Sequence, residues 1–496
     1  MSADPRPVDT PAAPHPAAPH PADPRPVDPP AEPHLAIVGA GPAGLAAALA
    51  AAARGVRVTV IDSAAQAGGQ FYRQPAQELG ARRPQALHHQ WRTWERLRDG
   101  LADHLAAGRV THLTSHQVWF VERQSKIFTV HALTGPEQRE PATVRADAVL
   151  LATGGYEKVL PFPGWTLPGV LTAGGAQAML KSGLVLPGRT VVVAGTGPLL
   201  LPVAVGLAAA GARVAALVES ADPKAFTSRA PRLAAHPDKL AEAAQYAAAL
   251  LTHRIPVRAH HTVIAAHGTD RLEAVTVAAL DADGRVRPGT ERRIPCDTLA
   301  VGHGLLPHTD LAETLGCRVD DGGVSVDEGQ RTDVPGVWAA GESTGIGGST
   351  LSLAEGHIAG RSAAARLQGT EPDPASWAAA ARTRDRLRRF FAAIDSVYAP
   401  PAHWTEQITD DTVVCRCEEV PAAAIREALD ELGAGDVRTV KLLTRAGMGW
   451  CQGKMCGPAV AALAGGEQRP AKRPFACPVP LGVLARAGEQ EAAAEH

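Results

Sequence analysis

The stretch HLAIVGAGPAGLAAALAAAARGVRVTVID, residues 34–62, decides the fold. It opens with an apolar run that ends in glycine, passes through an Ala/Leu segment of helical composition, and closes with an alternating run ending on Asp62. Strand, glycine turn, helix and strand in that order make a βαβ unit with parallel strands. Residues 39–44, GAGPAG, fill a complete G-x-G-x-x-G. Gly39 permits the tight turn, Gly41 lets backbone approach a pyrophosphate, and Gly44 lets helix and strand pack closely. Pro42 and Ala43 open the helix, whose free N–H groups and dipole favour an anion. Asp62, at the end of the next strand, is placed to accept a ribose hydroxyl. The unit reads as a dinucleotide site.

The same order returns at 189–219 as RTVVVAG, TGPLLLPVAVGLAAAG and ARVAALVE. Gly195 and Gly197 are present, but Leu200 stands at the third glycine of the motif. A leucine there holds helix and strand apart and damages the fingerprint. Glu219, ending the strand after this turn and helix, can still pair a ribose diol and would favour NAD over NADP by repelling a 2′-phosphate. NAD(H), another adenine nucleotide and no ligand at all remain open for this site. The run 190–212 carries no charge and is long enough to cross a bilayer. Gly195, Gly197, Pro198 and Pro202 divide it, and a buried strand, a turn and a helix account for it.

Composition bounds the class. Lys+Arg 49 against Asp+Glu 51 leaves no basic field to hold nucleic acid. A 45% hydrophobic content supports sizeable cores, and Gly 49 with Pro 41 excludes a collagen-like or wholly disordered chain. The segment 1–33 is crowded with proline and repeats ADPRPVD at 3–9 and 22–28, which reads as a disordered tail. It contains no apolar run of a secretory signal, so the expected location is cytoplasmic, without a membrane span.

Seven cysteines stand at 296, 317, 415, 417, 451, 456 and 477. An odd, clustered set is a poor disulfide framework and a better metal set in a reducing compartment. VVCRCEEV (413–420) and GWCQGKMCG (449–457) place Cys415 and Cys417 as C-x-C, and Cys451 and Cys456 as C-x4-C. Four thiolates in two close pairs suit a [2Fe–2S] cluster or zinc, although C-x-C is tighter than the usual zinc knuckle. Free thiols are the third reading. Cys296 and Cys317 stand too far apart in sequence for a close pair and read as small buried residues. Cys477 is expected to ligate nothing.

GGQFYR (68–73), the ATG turn (152–154) and TDVPGVWAAGE (332–342) resemble stations of the two-dinucleotide-domain flavoprotein reductases. That resemblance implies FAD at the first site, with Gly69, Gln70, Thr153, Gly154 and Gly341 around it. It also implies a ribitol contact from Glu342, where aspartate is usual. The cysteine motif resembles the bacterioferritin-associated-ferredoxin-like [2Fe–2S] domain, whose second pair is commonly closer. The whole order, over about 34–460, resembles the flavoprotein subunit of heteromeric amino-acid, opine and hydroxyproline dehydrogenases. The expected fold is therefore α/β, with two Rossmann-like domains and a small C-terminal cluster domain.

The boundaries follow from the same reading. Residues 34–164 and 309–370 make a discontinuous FAD domain, and 165–308 a second nucleotide-type domain. A helical connector (371–405), a cluster domain (406–470) and a C-terminal tail (471–496), frayed after about 480, complete the chain. The resemblance implies a relay of electrons from a second flavoprotein subunit, which oxidises the substrate, to an external acceptor. A self-sufficient NAD(P)H-dependent reductase and a zinc-bearing nucleotide sensor are the competing readings. His303, His308 and His357 lie near Gly-rich turns but read as ordinary core or surface histidines, and no catalytic base is nominated.

Overall fold

The computed structural model describes residues 32–226, 236–466 and 473–486. The Pro-rich segment 1–31 and the end of the chain after 486 lie outside the described residues.

Five parallel strands form the first sheet, in the order Val337–Ala339, Ala148–Leu151, His34–Val38, Arg57–Ile61, Val110–Leu113. His34–Val38 is buried along its whole length, as a parallel strand covered on both faces requires. On one face lie helices Pro42–Ala52, Trp91–Ala106 and Gly348–Leu367, which share a core with Leu35, Ile37, Val58 and Leu150. The other face carries the antiparallel strands Gln117–Gln124, Ile127–Thr134 and Glu140–Ala146.

Helix Pro42–Ala52 is apolar all round because it is enclosed, and small residues bring its neighbour unusually near. A Cβ added at Gly356 or Gly360 of helix Gly348–Leu367 would stand 2.1 Å from Ala43 O or 2.3 Å from Ala47 O. The two glycines, four apart on one helical face, thus allow backbone-to-backbone contact. That contact fixes the start of Gly348–Leu367 beside the GAGPAG turn.

The second sheet repeats the plan, with parallel strands Val257–Ala259, Arg213–Glu219, Thr190–Gly195, Thr298–Gly302 and Val170–Thr172 in that order. Val192 and Val218 face the antiparallel strands His261–His267 and Ala274–Ala279, while Val191 and Val193 face helix Leu200–Ala209. The uncharged run 190–212 is therefore a strand, a turn and a helix. Among the described residues no helix is long and apolar enough to cross a membrane.

Beyond the sheets, helix Ala378–Asp395 packs on Gly348–Leu367. A cluster domain follows, with the ribbon Val413–Cys415/Val420–Pro421 and helices Ala422–Asp430, Val437–Thr444 and Gly457–Leu463 around its own core. The expectation of a frayed end after about 480 fails for 481–486, and the preceding residues 473–480 are held as well. Phe475 meets Trp119 edge-on at 4.9 Å, Val483 is buried between Trp119 and Leu133, and the Ala476 N–H donates to Trp119 O. The aromatic side chains on the outer face of strand Gln117–Gln124 need a cover, and this segment supplies it.

Candidate functional site

The three glycines of GAGPAG divide by role. Gly39 has φ +108°, and a Cβ there would lie 2.3 Å from Ala152 O. A Cβ on Gly44 would lie 1.8 Å from Gly39 O. Both are glycine for packing. Gly41 is different: its backbone is extended, and the nearest atom to an added Cβ among the described residues is Gly69 Cα at 3.9 Å. It faces open space at the start of helix Pro42–Ala52, where a pyrophosphate would lie on the first-turn N–H groups.

The other expected residues gather around this turn. Gly68 N–H donates to Ala40 O, and Gly69 backs onto Gly41. Gln70 is exposed, its Oε1 accepting from Arg73. Asp62 accepts from the Ala40 and Ala64 N–H groups. Thr153 Oγ1 donates to His308 O at 2.6 Å, and Gly154 O accepts from His308 N–H. Gly341 and Glu342 form the turn Gly341–Thr344 just before helix Gly348–Leu367. Burial pushes the Glu342 carboxyl up, against the Gly348 N–H and the Arg388 charge.

Three residues that sequence reasoning missed hold this assembly. Glu355, only 1% exposed, accepts from Gly341 N–H and Thr344 Oγ1, each at 2.9 Å. Arg388 donates to Glu355 Oε1, Thr344 Oγ1 and Gly345 O. The supposed connector thus clamps the turn that carries Glu342. Arg384 and Arg388, four apart, share the inward face of helix Ala378–Asp395. Lys181 is the third: it reaches from the second domain to Phe71 O at 3.0 Å, and burial lowers its pKa to about 8.

Removing Arg388 leaves a buried carboxylate without its cation. Arg388→Met is expected to cost about 3 kcal/mol, the lower end for a broken buried pair because the guanidinium keeps some water. Denaturant unfolding of the flavin-free chain measures this directly. An unchanged midpoint would show that the clamp contributes nothing.

In the second domain Gly195 has φ +133° and lies against Gly302 O, whereas Gly197 faces open space. The glycine-to-leucine change has a visible effect. Helix Leu200–Ala209 begins at the sixth motif position, two residues later than Pro42–Ala52 begins in the first site. Leu200 itself is 1% exposed. Glu219 accepts from Gly197 N–H at 3.1 Å and Ala221 N–H at 2.9 Å, much as Asp62 does in the first site. It lines a cavity of about 170 Å³ with Leu201, Phe226, Leu250 and Tyr398.

Burial raises the Glu219 pKa to about 7, against hydrogen bonds from Ala221, Gly197 and others that lower it. Its folded value exceeds the ordinary 4.5, so ionised Glu219 opposes folding. That penalty is absent below the ordinary value, grows as pH rises and is complete above about 7. It amounts to on the order of 3 kcal/mol. The melting temperature of Glu219→Gln relative to wild type should therefore climb between pH 5 and pH 8. A gap that stays constant across that range would refute the burial penalty.

The four clustered cysteines come together. Cys415 ends its strand and is buried, Cys417 is exposed, Cys451 is half-buried, and Cys456 caps helix Gly457–Leu463. Gly447 N–H donates to Cys415 Sγ at 3.5 Å. Gly449 packs so closely that a Cβ there would lie 2.3 Å from Cys417 Cβ. A Cβ added at Gly447 would lie 3.9 Å from Cys456 Sγ, so the same glycine turn borders both Cys415 and Cys456. Burial, then the neighbouring thiols, push Cys456 up, so four thiolates here call for a cationic centre. Among the described residues no three His, Cys, Asp or Glu side chains converge to hold a single metal ion. Four clustered thiolates, two to each iron, are the donor set of a [2Fe–2S] cluster. The residues fit that group.

Cys296 and Cys317 lie in different cores, and burial raises both thiols, Cys296 to about 12. Among the described residues no dithiol stands beside the flavin-side turns. Cys477 is held near Val118 O, apart from the cluster cysteines.

Two Rossmann-like domains, an adenine-dinucleotide cradle in the first and a cysteine-lined cluster domain define a flavoprotein oxidoreductase with an iron–sulfur centre. The chain belongs to the pyridine nucleotide-disulphide oxidoreductase family, whose model matches residues 33–380. A BFD-like [2Fe-2S] binding domain matches residues 413–464. FAD and a [2Fe–2S] cluster are its cofactors.

Two relatives match this chain along most of their length. Hydrogen cyanide synthase subunit HcnB of Pseudomonas protegens is 36% identical over 85% of this chain and 89% of that one. An opine oxidase subunit of Agrobacterium tumefaciens is 32% identical over 88% of this chain and 86% of that one. The solved L-proline dehydrogenase from P. horikoshii shares the fold, with a TM-score of 0.62 and 20% identity over 92% of this chain and 79% of that one.

Proposed function

We propose that this chain is the electron-relaying flavoprotein subunit of a heteromeric dehydrogenase acting on the CH–NH group of an amino acid, opine or hydroxyproline. A second flavoprotein subunit carries the substrate pocket, and an external acceptor such as a quinone takes the electrons. The carrying observation is the pairing, on one chain, of a flavin cradle that has no dithiol beside it among the described residues with a four-thiol cluster site. When bound, FAD supplies two-electron chemistry and the cluster one-electron transfer, so together they convert between the two. Relatives that are themselves named as subunits support the partner.

Within this reading, Gly41, Pro42, Ala43 and the first-turn N–H groups receive the pyrophosphate, and Asp62 exchanges its hold on Ala40 for a ribose hydroxyl. Gly69, Gln70, Thr153, Gly154 and Gly341 line the flavin, with Glu342 toward the ribitol. Cys415, Cys417, Cys451 and Cys456 ligate the cluster. Gly195, Gly197 and Glu219 form an accessory adenine-nucleotide site in which nicotinamide reduction plays no part. The delayed helix start at Leu200 supports that assignment. Seven cysteines, none of them in a disulfide, suit the reducing cytoplasm as its location.

Anaerobic titration of the holo chain tests the proposal. NADH and a panel of amino acids and opines should leave the flavin absorbance unchanged, while dithionite reduces flavin and cluster alike. Rapid bleaching by NADH alone would make the chain a complete reductase and overturn the relay.

A further inference from the structure

Where the flavin domain meets the cluster loop, one carboxylate faces three basic side chains. Asp310 lies 2.9 Å from His308 Nε2, 2.8 Å from Lys454 Nζ and 3.2 Å from Arg473 Nη1. The partners come from separate parts of the chain. His308 is tied by both its backbone groups to the Thr153–Gly154 turn. Lys454 sits between Cys451 and Cys456. Arg473, from the segment that folds back over Trp119, also donates to Gln452 O.

These groups are shielded enough to matter. Asp310 keeps 15% of its side-chain exposure, Arg473 17% and Lys454 22%, so salt screens them less than an ordinary surface pair. Burial pushes the Asp310 carboxyl up, but His308 and Lys454 more than offset it and hold it well below the usual range. It stays ionised throughout the working range. The loop it holds has no regular structure between helix Val437–Thr444 and helix Gly457–Leu463, so its position depends on outside contacts. Two other anchors exist: Trp165 Nε1 donates to Val413 O at 2.6 Å, and Met455 packs on the second-domain core. Neither reaches the flavin-side turn.

Tyr156 completes the seam. It meets His308 edge-on at 6.0 Å, and its strand Gly155–Glu157 pairs with Leu305–Pro307. The neighbouring Gly155 packs against Ile346, which follows Glu342 closely in the chain. The segment Thr153–Tyr156 therefore runs from the flavin-side turn to His308, and through Asp310 to Lys454 between the cluster cysteines.

We propose that Asp310, Lys454 and Arg473 are positioning residues that hold the cluster loop against the Thr153–Tyr156 segment and so set the rate of electron crossing from flavin to cluster. The proposal rests on the relay reading above. Each crossing oxidises the reduced flavin by one electron and reduces the cluster by one. Two crossings return the flavin to its oxidised form with its protons released to solvent, the cluster handing each electron to a one-electron acceptor.

The holo chain, photoreduced anaerobically at the flavin, allows the crossing to be followed as the cluster signal appears in absorbance and electron paramagnetic resonance. Asp310→Asn and Lys454→Gln should slow it by about 10- to 100-fold, the scale on which an ångström of misplacement costs an oriented reaction. Lys454→Arg should restore a rate near wild type. FAD content, iron content and the rate of direct cluster reduction by dithionite should stay unchanged in all three. A wild-type crossing rate in both Asp310→Asn and Lys454→Gln would overturn the proposal, and so would loss of iron in both, which would make the node a structural support. Absence of any crossing in the wild-type chain would instead sink the relay reading, and this proposal with it.

Discussion

Gly41→Val should yield a folded chain that retains no flavin. Among the described residues an added Cβ at this position meets no atom nearer than Gly69 Cα at 3.9 Å, and the backbone, at φ −74° and ψ −176°, is open to any L residue. The fold loses only part of a helix cap, about 1 kcal/mol. The isopropyl group, however, stands where a pyrophosphate must approach the first-turn N–H groups. A clash that costs about 3 kcal/mol weakens binding about 100-fold, and the rigid cradle offers no room to relax. Flavin per chain in the purified protein and the melting temperature of the flavin-free form give the two readouts. Flavin content equal to wild type would place the dinucleotide elsewhere. A collapsed melting temperature would mean that Gly41 serves packing, as its neighbours do. Gly44→Ala is the contrasting case: its Cβ would stand 1.8 Å from Gly39 O, so folding itself should fail.

The difference between these glycines marks how far the sequence could be read. GAGPAG, its flanking strands and Asp62 all lie within 34–62, and their spacing carries the βαβ unit and the dinucleotide cradle. The two cysteine pairs are equally legible, because thiolate ligands cluster in sequence before they cluster in space. The damage at Leu200 was legible too, though its outcome, a helix that begins late, needed the structure. What stayed hidden was every polar group whose partner is distant. Glu355 sits in LSLAEGHIAG and resembles any helical acid; only the close approach at Gly356 and Gly360 turns it toward Gly341 and Arg388. Asp310 meets Arg473 from a remote part of the chain, with no local pattern to announce the pair. The end after about 480 looked loose because it is rich in Ala and Glu. Phe475 and Val483 suffice because Trp119 and Leu133 await them.

Cys451→Ser should remove the cluster and leave the flavin in place. Serine keeps nearly the same volume but offers a hydroxyl that holds its proton far more tightly than a thiol, so one iron loses a ligand. The cluster domain has its own core, built from Ile408, Val414, Ile425, Val440 and Val460, and none of these residues belongs to the cores around the GAGPAG turn. Losing the metal therefore reaches the flavin side only through the polar contacts at Asp310, not through a shared apolar core. Within the domain the effect should be large. So short a domain, matched over 413–464, buries too little apolar surface to be secure without a staple. On the proposed ligand set the cluster would be that staple, joining the ribbon at Cys415 to the helix that starts after Cys456. Acid-labile sulfide and iron should fall to near zero, the visible spectrum should become that of flavin alone, and limited proteolysis should open new sites within 413–464. The relay predicts one further result: photoreduced flavin in this variant should persist in the presence of a one-electron acceptor that the wild-type chain reduces quickly. Parallel loss of flavin would show that the cluster domain is part of the flavin fold, and retention of iron would remove Cys451 from the ligand set.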